Sequence, residues 1–286
     1  MDGGEGMKFG LNMLLWTTLV GPEHFPILGA VKALGYDGVE LPLFAPDDAR
    51  YREIRAELDR LGLGCTAVTV ASKDANPISP DPANRLAARD AIKQIIDTTH
   101  LLGGAVLCGP MHSALGHFVG RTRTPDEWKW CVETLQSVGD HAEQAGVTVA
   151  IEALNRFECY FLNTAADTRK LIGEVGHRRI RGMYDTFHAN IEERSIEAAI
   201  KALGPVLAHV HVSENHRGTP GEGLVRWEET FSALKAAGYD GWLTIESFGP
   251  SLPDLSAMCI WRELFDSEMG LAERGLRLMR EHCRSS

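Results

Sequence analysis

The chain is poor in basic charge. Its 286 residues carry 29 Lys and Arg against 39 Asp and Glu, a formal charge of −10. Nucleic acid and anionic membrane surfaces are bound by basic faces, so this balance argues against both as partners. No apolar run approaches the ~20 residues that a bilayer-spanning helix needs. The six cysteines (Cys65, Cys108, Cys131, Cys159, Cys259, Cys283) contain no C-x-x-C pair and offer no thiolate cluster for zinc. They read as reduced thiols of a cytoplasmic protein. Residues 1–6 have neither a basic n-region nor an apolar h-region and read as a short disordered extension, with the fold spanning 7–286. Also missing are a G-x-G-x-x-G after the first strand, a P-loop and any Pro/Ser-rich linker, which removes a dinucleotide-binding sheet and a second domain.

What is present is a regular alternation of short apolar runs with longer amphipathic segments. Strands are expected at Lys8–Met13, Gly38–Leu41, Gly64–Val70, Ala105–Cys108, Val147–Glu152, Arg181–Asp185, Leu207–Val212 and Trp242–Glu246. Helices are expected at Glu23–Leu34, Asp47–Leu61, Asp81–Leu102, Pro125–Ala145, Ala165–Val175, Ile196–Leu203, Trp227–Ala237 and, in more than one piece, Leu255–Cys283. Gly35, Gly62, Gly103, Gly146 and Gly238 each follow a helix, where a left-handed residue closes it. Ala30–Gly38 recurs, with few changes, as Ala233–Gly241. Eight strands each followed by a helix make a single (β/α)₈ TIM barrel.

Such barrels place their chemistry at the carboxyl ends of the strands. Strands five to eight end on or beside Glu152, Asp185, His211 and Glu246, with separations of 33, 26 and 35 residues that each fit one β/α repeat. A lone acidic residue at a strand end is usually a cap or an ion-pair partner. Three carboxylates meeting at one rim repel each other and call for a cation. Mixed carboxylate and imidazole donors suit Mn²⁺, Mg²⁺ or Co²⁺. His209 lies one layer deeper and reads as a hydrogen-bonded core histidine. Glu40 ends a strand on the far side of the barrel, which favours a supporting role over a ligand role.

Three segments then resemble the D-tagatose/D-psicose (D-allulose) 3-epimerase family of xylose-isomerase-like barrels. They are Glu152–Glu158 with Leu162–Thr164, Asp185–Glu193, and His211–Gly218 with Glu246–Phe248. The resemblance runs from about Met7 to Leu278. It implies that Glu152, Asp185, His211 and Glu246 bind one divalent ion, Mn²⁺ first and Co²⁺ or Mg²⁺ next, and that Glu152 and Glu246 are the acid/base pair. It further implies that Glu158, His188 and Arg217 contact O1 to O3 of a ketose, with Trp16 and Phe248 as an apolar wall. Asn12 and Met111–Ser113 depart from the family pattern.

The activity so implied is inversion at C3 of a free ketose. The C3 proton is acidified by the C2 carbonyl, and a cation on O2 and O3 stabilises the cis-enediolate left by its removal. Inversion needs one carboxyl group on each face of C3, one accepting and one donating. An aldose–ketose isomerase moving a proton between C1 and C2 is the alternative. The expected partner is a small ketose, in a homodimer or homotetramer.

Overall fold

Strands β1 Lys8–Asn12, β2 Gly38–Pro42, β3 Gly64–Val68, β4 Val106–Gly109, β5 Thr148–Ile151, β6 Ile180–Asp185, β7 Leu207–Val212 and β8 Trp242–Ile245 close into one parallel barrel in sequence order. Pairing of β1 with β8, Gly10 opposite Thr244, completes the ring. This computed structural model describes residues 6–44, 47–249, 252 and 260–284. The extension expected before Gly6, and residues 255–259 of the last helical segment, lie outside the described residues.

Helices α1 Phe25–Leu34, α2 Asp48–Leu61, α3 Pro82–Leu101, α4 Pro125–Gln144, α5 Ala165–Val175, α6 Thr186–Glu192, α7 Ile196–Leu203, α8 Trp227–Ala236 and α9 Glu268–Arg284 surround the strands. α4 starts with the signals its sequence carries. Thr124 Oγ1 accepts from the Glu127 amide, Glu127 accepts in return from the Thr124 amide, and Pro125 takes the first helical position. The five post-helical glycines all adopt the left-handed conformation, with φ of +96°, +64°, +74°, +72° and +67°. In α9, Gly275 permits close approach to β8, since a Cβ there would lie 2.5 Å from Ile245 Cδ1. α6 has no forerunner in the periodicity. It forms because Asp185, the last residue of β6, accepts from the Phe187 amide and caps a turn that follows the strand without a loop.

The main core lies between strands and helices, and α9 adds Leu271, Leu276 and Met279 to it. Trp261, just before α9, is 76% exposed. Inside the barrel, a small apolar cluster holds Leu14, Val68, Cys108, Ala150, Met183 and Phe248. The rest of that interior is polar and buried: Asn12, Glu40, Thr66, His209, His211 and Thr244. Barrel interiors are ordinarily filled by branched apolar side chains, so this layer demands partners for its polar atoms.

Candidate metal centre and active site

Each strand from β5 to β8 hands one side chain to the same rim. Glu152 and Glu246 directly follow β5 and β8, and their amides extend the ladders by donating to Gly109 and Val212 carbonyls. Asp185 and His211 sit opposite each other in the β6–β7 register. One donor atom from each of these four lies within 4.8 Å of the others, and all four residues are buried. His211 Nδ1 stands 3.4 Å from Glu246 Oε1, 3.7 Å from Asp185 Oδ2 and 3.8 Å from Glu152 Oε1. Neither that nitrogen nor Glu152 Oε1 has a hydrogen-bond partner among the described residues. Buried orphan acceptors are costly, and a divalent cation at their centre would satisfy both. The donors are oxygens and one imidazole nitrogen, which fits Mn²⁺, Co²⁺ or Mg²⁺.

Arg217 and His188 complete the site. Arg217 Nη1 donates to Glu246 Oε2 at 2.7 Å, Asp185 Oδ2 at 3.1 Å and Ser213 Oγ at 3.0 Å. Its guanidinium lies 3.8 Å over the Phe187 ring and 5.0 Å from that of Phe248. Among described non-glycine residues only Arg217 has positive φ, +61°, a conformation held by the loop around it. Buried Glu214 staples that loop, accepting from the amides of Asn215, Gly221 and Val225 and from Trp227 Nε1 at 2.8 to 3.1 Å. His188 Nδ1 accepts from the Asn155 amide at 3.0 Å, and its Nε2 stands 3.1 Å from Arg217 Nη2 and 3.6 Å from Glu152 Oε1. Asn155 Nδ2 also donates to Glu158 at 2.7 Å.

Burial and charge set these groups apart. Burial, and then the charge of Glu246, push the Glu152 carboxyl well above the usual carboxylate range. Burial also works against the Asp185 carboxylate, yet the Arg217 guanidinium and the His211 imidazole hold it well below that range. His211 is raised well above ordinary histidine because Glu246 and Glu40 outweigh its desolvation. His188 is pushed down to about 3 by burial and stays neutral. Burial raises Glu158.

A cavity of about 700 Å³ opens on this cluster, lined at its polar end by Glu152, Glu158, His188, Arg217 and Glu246 beside Phe248. Its other walls are largely aliphatic, including Leu14, Leu43, Val68 and Ile92. Met111 lines it too, whereas Asn12 points into the barrel interior. Trp16, the other residue expected in the apolar wall, is absent from the lining and packs against the main core. The 3-10 turn Met13–Leu15 intervenes and presents Leu14 in its place. Sequence reasoning assigned no role to Asn155 or Glu214, although Asn155 sits within the Glu152–Glu158 segment.

The sequence model of the xylose isomerase-like TIM barrel family matches residues 28–282. The chain belongs to that family. Within it, L-ribulose 3-epimerase of Methylomonas sp. (strain DH-1) is 31% identical over 96% of this chain and 97% of its own. D-psicose 3-epimerase of Ruminiclostridium cellulolyticum is 34% identical over 85% and 84%. The crystal structure of D-allulose 3-epimerase from Methylomonas sp. with D-allulose superposes with a TM-score of 0.91 at 29% identity, covering 97% of this chain and 98% of that one. These relatives are isomerases, and the chain is an enzyme of that class.

Proposed function

We propose that the protein is a divalent-metal-dependent ketose 3-epimerase, inverting C3 of a free ketohexose or ketopentose of the D-fructose/D-allulose, D-tagatose/D-sorbose or ribulose/xylulose type. One observation carries the reading. Two glutamates from β5 and β8 converge on one cavity with unlike surroundings, Glu246 paired to Arg217 and Glu152 bearing an unpartnered oxygen. The named ketose 3-epimerases among the relatives support the same reaction.

Glu152, Asp185, His211 and Glu246 would hold a divalent cation, which would supply Lewis-acid polarisation of the ketose carbonyl. The chain's own residues do the proton transfers. One glutamate takes the C3 proton as carboxylate while the other donates to the opposite face as carboxylic acid, and the reverse reaction exchanges the roles. The pairing of Glu246 with Arg217, which Glu152 lacks among the described residues, supports such a difference. Arg217 offers donors to O1 and O2, His188 lines the same end of the cavity beside it, and Glu158 offers an acceptor to a hydroxyl. Phe248 and Leu14 exclude water from one side of the reacting carbon.

Incubation with D-fructose, D-tagatose and D-ribulose in the presence of Mn²⁺, with product identification, tests the reading. A C3-epimeric ketose is expected; an aldose product would establish the C1–C2 isomerase instead, and no conversion of any ketose would refute both. A homo-oligomer is proposed from the exposed side chains of Phe157, Leu224 and Trp261. Cytoplasmic residence is proposed from the cysteines, which are all free among the described residues.

A further inference from the structure

Beneath the rim lies a second group of titratable side chains that the proton transfers do not use. Glu40, Cys108, His209 and His211 are fully buried, and one donor atom from each lies within 4.8 Å of the others. Glu40 is its hub. Asn12 and Thr66 stand beside Glu40 in the β1–β2 and β2–β3 registers, so all three point to the barrel axis at one level. Asn12 Nδ2 donates to Glu40 Oε1 at 2.8 Å, and Thr66 Oγ1 donates to Oε2 at 2.8 Å. Cys108 Sγ donates to Oε2 at 3.2 Å, and His209 Nε2 lies 2.8 Å from that same oxygen. His211 Nε2 stands 2.7 Å from Oε1. A carboxylate has about four lone-pair sites, and Asn12, His211, Thr66 and Cys108 use them, while His209 Nε2 is close but unbonded, so Glu40 is an acceptor hub and not an open metal ligand.

We propose that Glu40 is the positioning residue of the metal centre: by accepting the Nε2–H of His211 it fixes the imidazole tautomer and rotation that aim the Nδ1 lone pair at Glu152, Asp185 and Glu246. The inference rests on the metal-centre reading above. Imidazole has two nitrogens, and a neutral ring protonated on Nδ1 would turn a donor toward the cation. The acceptor on Nε2 decides between the two forms. Carboxylates placed behind ligating histidines in this way also strengthen the ligand. Glu40 reaches His211 from the far side of the barrel, and its own rotamer is held by Asn12 and Thr66. A rigid chain therefore runs from β1, β2 and β3 through Glu40 to β7. Glutamine at position 40 has one acceptor oxygen and one NH₂, so it cannot accept both from His211 on one side and from Thr66 and Cys108 on the other.

The test is Mn²⁺ affinity of the full-length protein, read from the free-ion EPR signal, together with the melting temperature of the chelator-treated form. Glu40→Gln is expected to raise the Mn²⁺ dissociation constant by ~10–100-fold, the usual effect of removing such a partner, while the folded fraction persists. A folded Glu40→Gln protein that binds Mn²⁺ as wild type does overturns the proposal, even if its metal-free melting temperature falls. Should Glu40→Gln not fold, Thr66→Val and Asn12→Ala loosen Glu40 without touching a metal ligand. Each is then expected to weaken Mn²⁺ binding, and wild-type affinity in both overturns the proposal. Wild-type protein that binds no Mn²⁺ refutes the metal centre itself, a result separable from unchanged affinity in the variants.

Discussion

Arg217 Nη1 donates to Glu246 Oε2 across 2.7 Å, tying the loop after β7 to the end of β8. Among the described residues no guanidinium pairs with Glu152, which shares the same cavity. Two carboxyl groups of one type are thereby made unequal, which is what a proton donor and a proton acceptor require.

Glu152→Gln and Glu246→Gln should each abolish C3 epimerisation, with losses of at least ~10²–10⁴-fold for a general acid or base. Product chromatography and C3 deuterium incorporation from heavy water measure it, with circular dichroism reporting the fold. Substantial turnover in either variant would sink the two-glutamate scheme.

Removal of divalent ions should stop turnover and lower the melting temperature. Saturation at 100 times the dissociation constant contributes ~2.7 kcal/mol, which corresponds to roughly 4–5 °C for a chain of this size. Calorimetry with chelator and then with added Mn²⁺ measures the shift; identical melting curves would refute the ligand cluster.

Acid should weaken metal binding. His211 and Glu152 both hold protons more tightly than usual, and each must give up its proton to coordinate. The affinity is therefore highest above their raised values and is lost as pH falls through them. Titration calorimetry at two pH values, in buffers of different ionisation enthalpy, should show tighter binding and fewer released protons at the higher pH. An affinity independent of pH would contradict the assignment.

Glu214→Ala strands four donors, the part-buried Asn215 and Gly221 amides and the buried Val225 amide and Trp227 indole, at distances of 2.8 to 3.1 Å from the lost carboxylate. A loss of about 3 kcal/mol or more is expected from unmade buried hydrogen bonds. Because the same loop holds Arg217 at φ +61°, catalytic efficiency should fall as well, although Glu214 is absent from the cavity lining. Chemical denaturation and steady-state kinetics read the two effects, and a stable, fully active variant would show that the loop does not need its staple.

The quartet of side chains at the rim was legible because a strand's end is a coordinate. Once β5 to β8 are recognised, Glu152, Asp185, His211 and Glu246 fall at one rim by register alone. Where turns intervene, that logic stops. Trp16 and Leu14 are separated by a single residue, yet the 3-10 turn sends Leu14 to the cavity and Trp16 to the outer core. α6 was invisible because its seven residues begin directly at the strand end, with Asp185 serving as both cap and site residue.

By itself the amino-acid sequence determined the eight β/α units, their closing glycines and the four side chains at the rim, all of which depend on local periodicity and spacing. The tertiary structure alone decided which nitrogen of His211 faces the carboxylates, how Arg217 distinguishes two glutamates, and that Glu40 stands behind the site. Those are contacts between strands on different sides of a closed barrel. Their partners are set by packing, charge and the need to satisfy buried polar atoms, and no period in the chain encodes them.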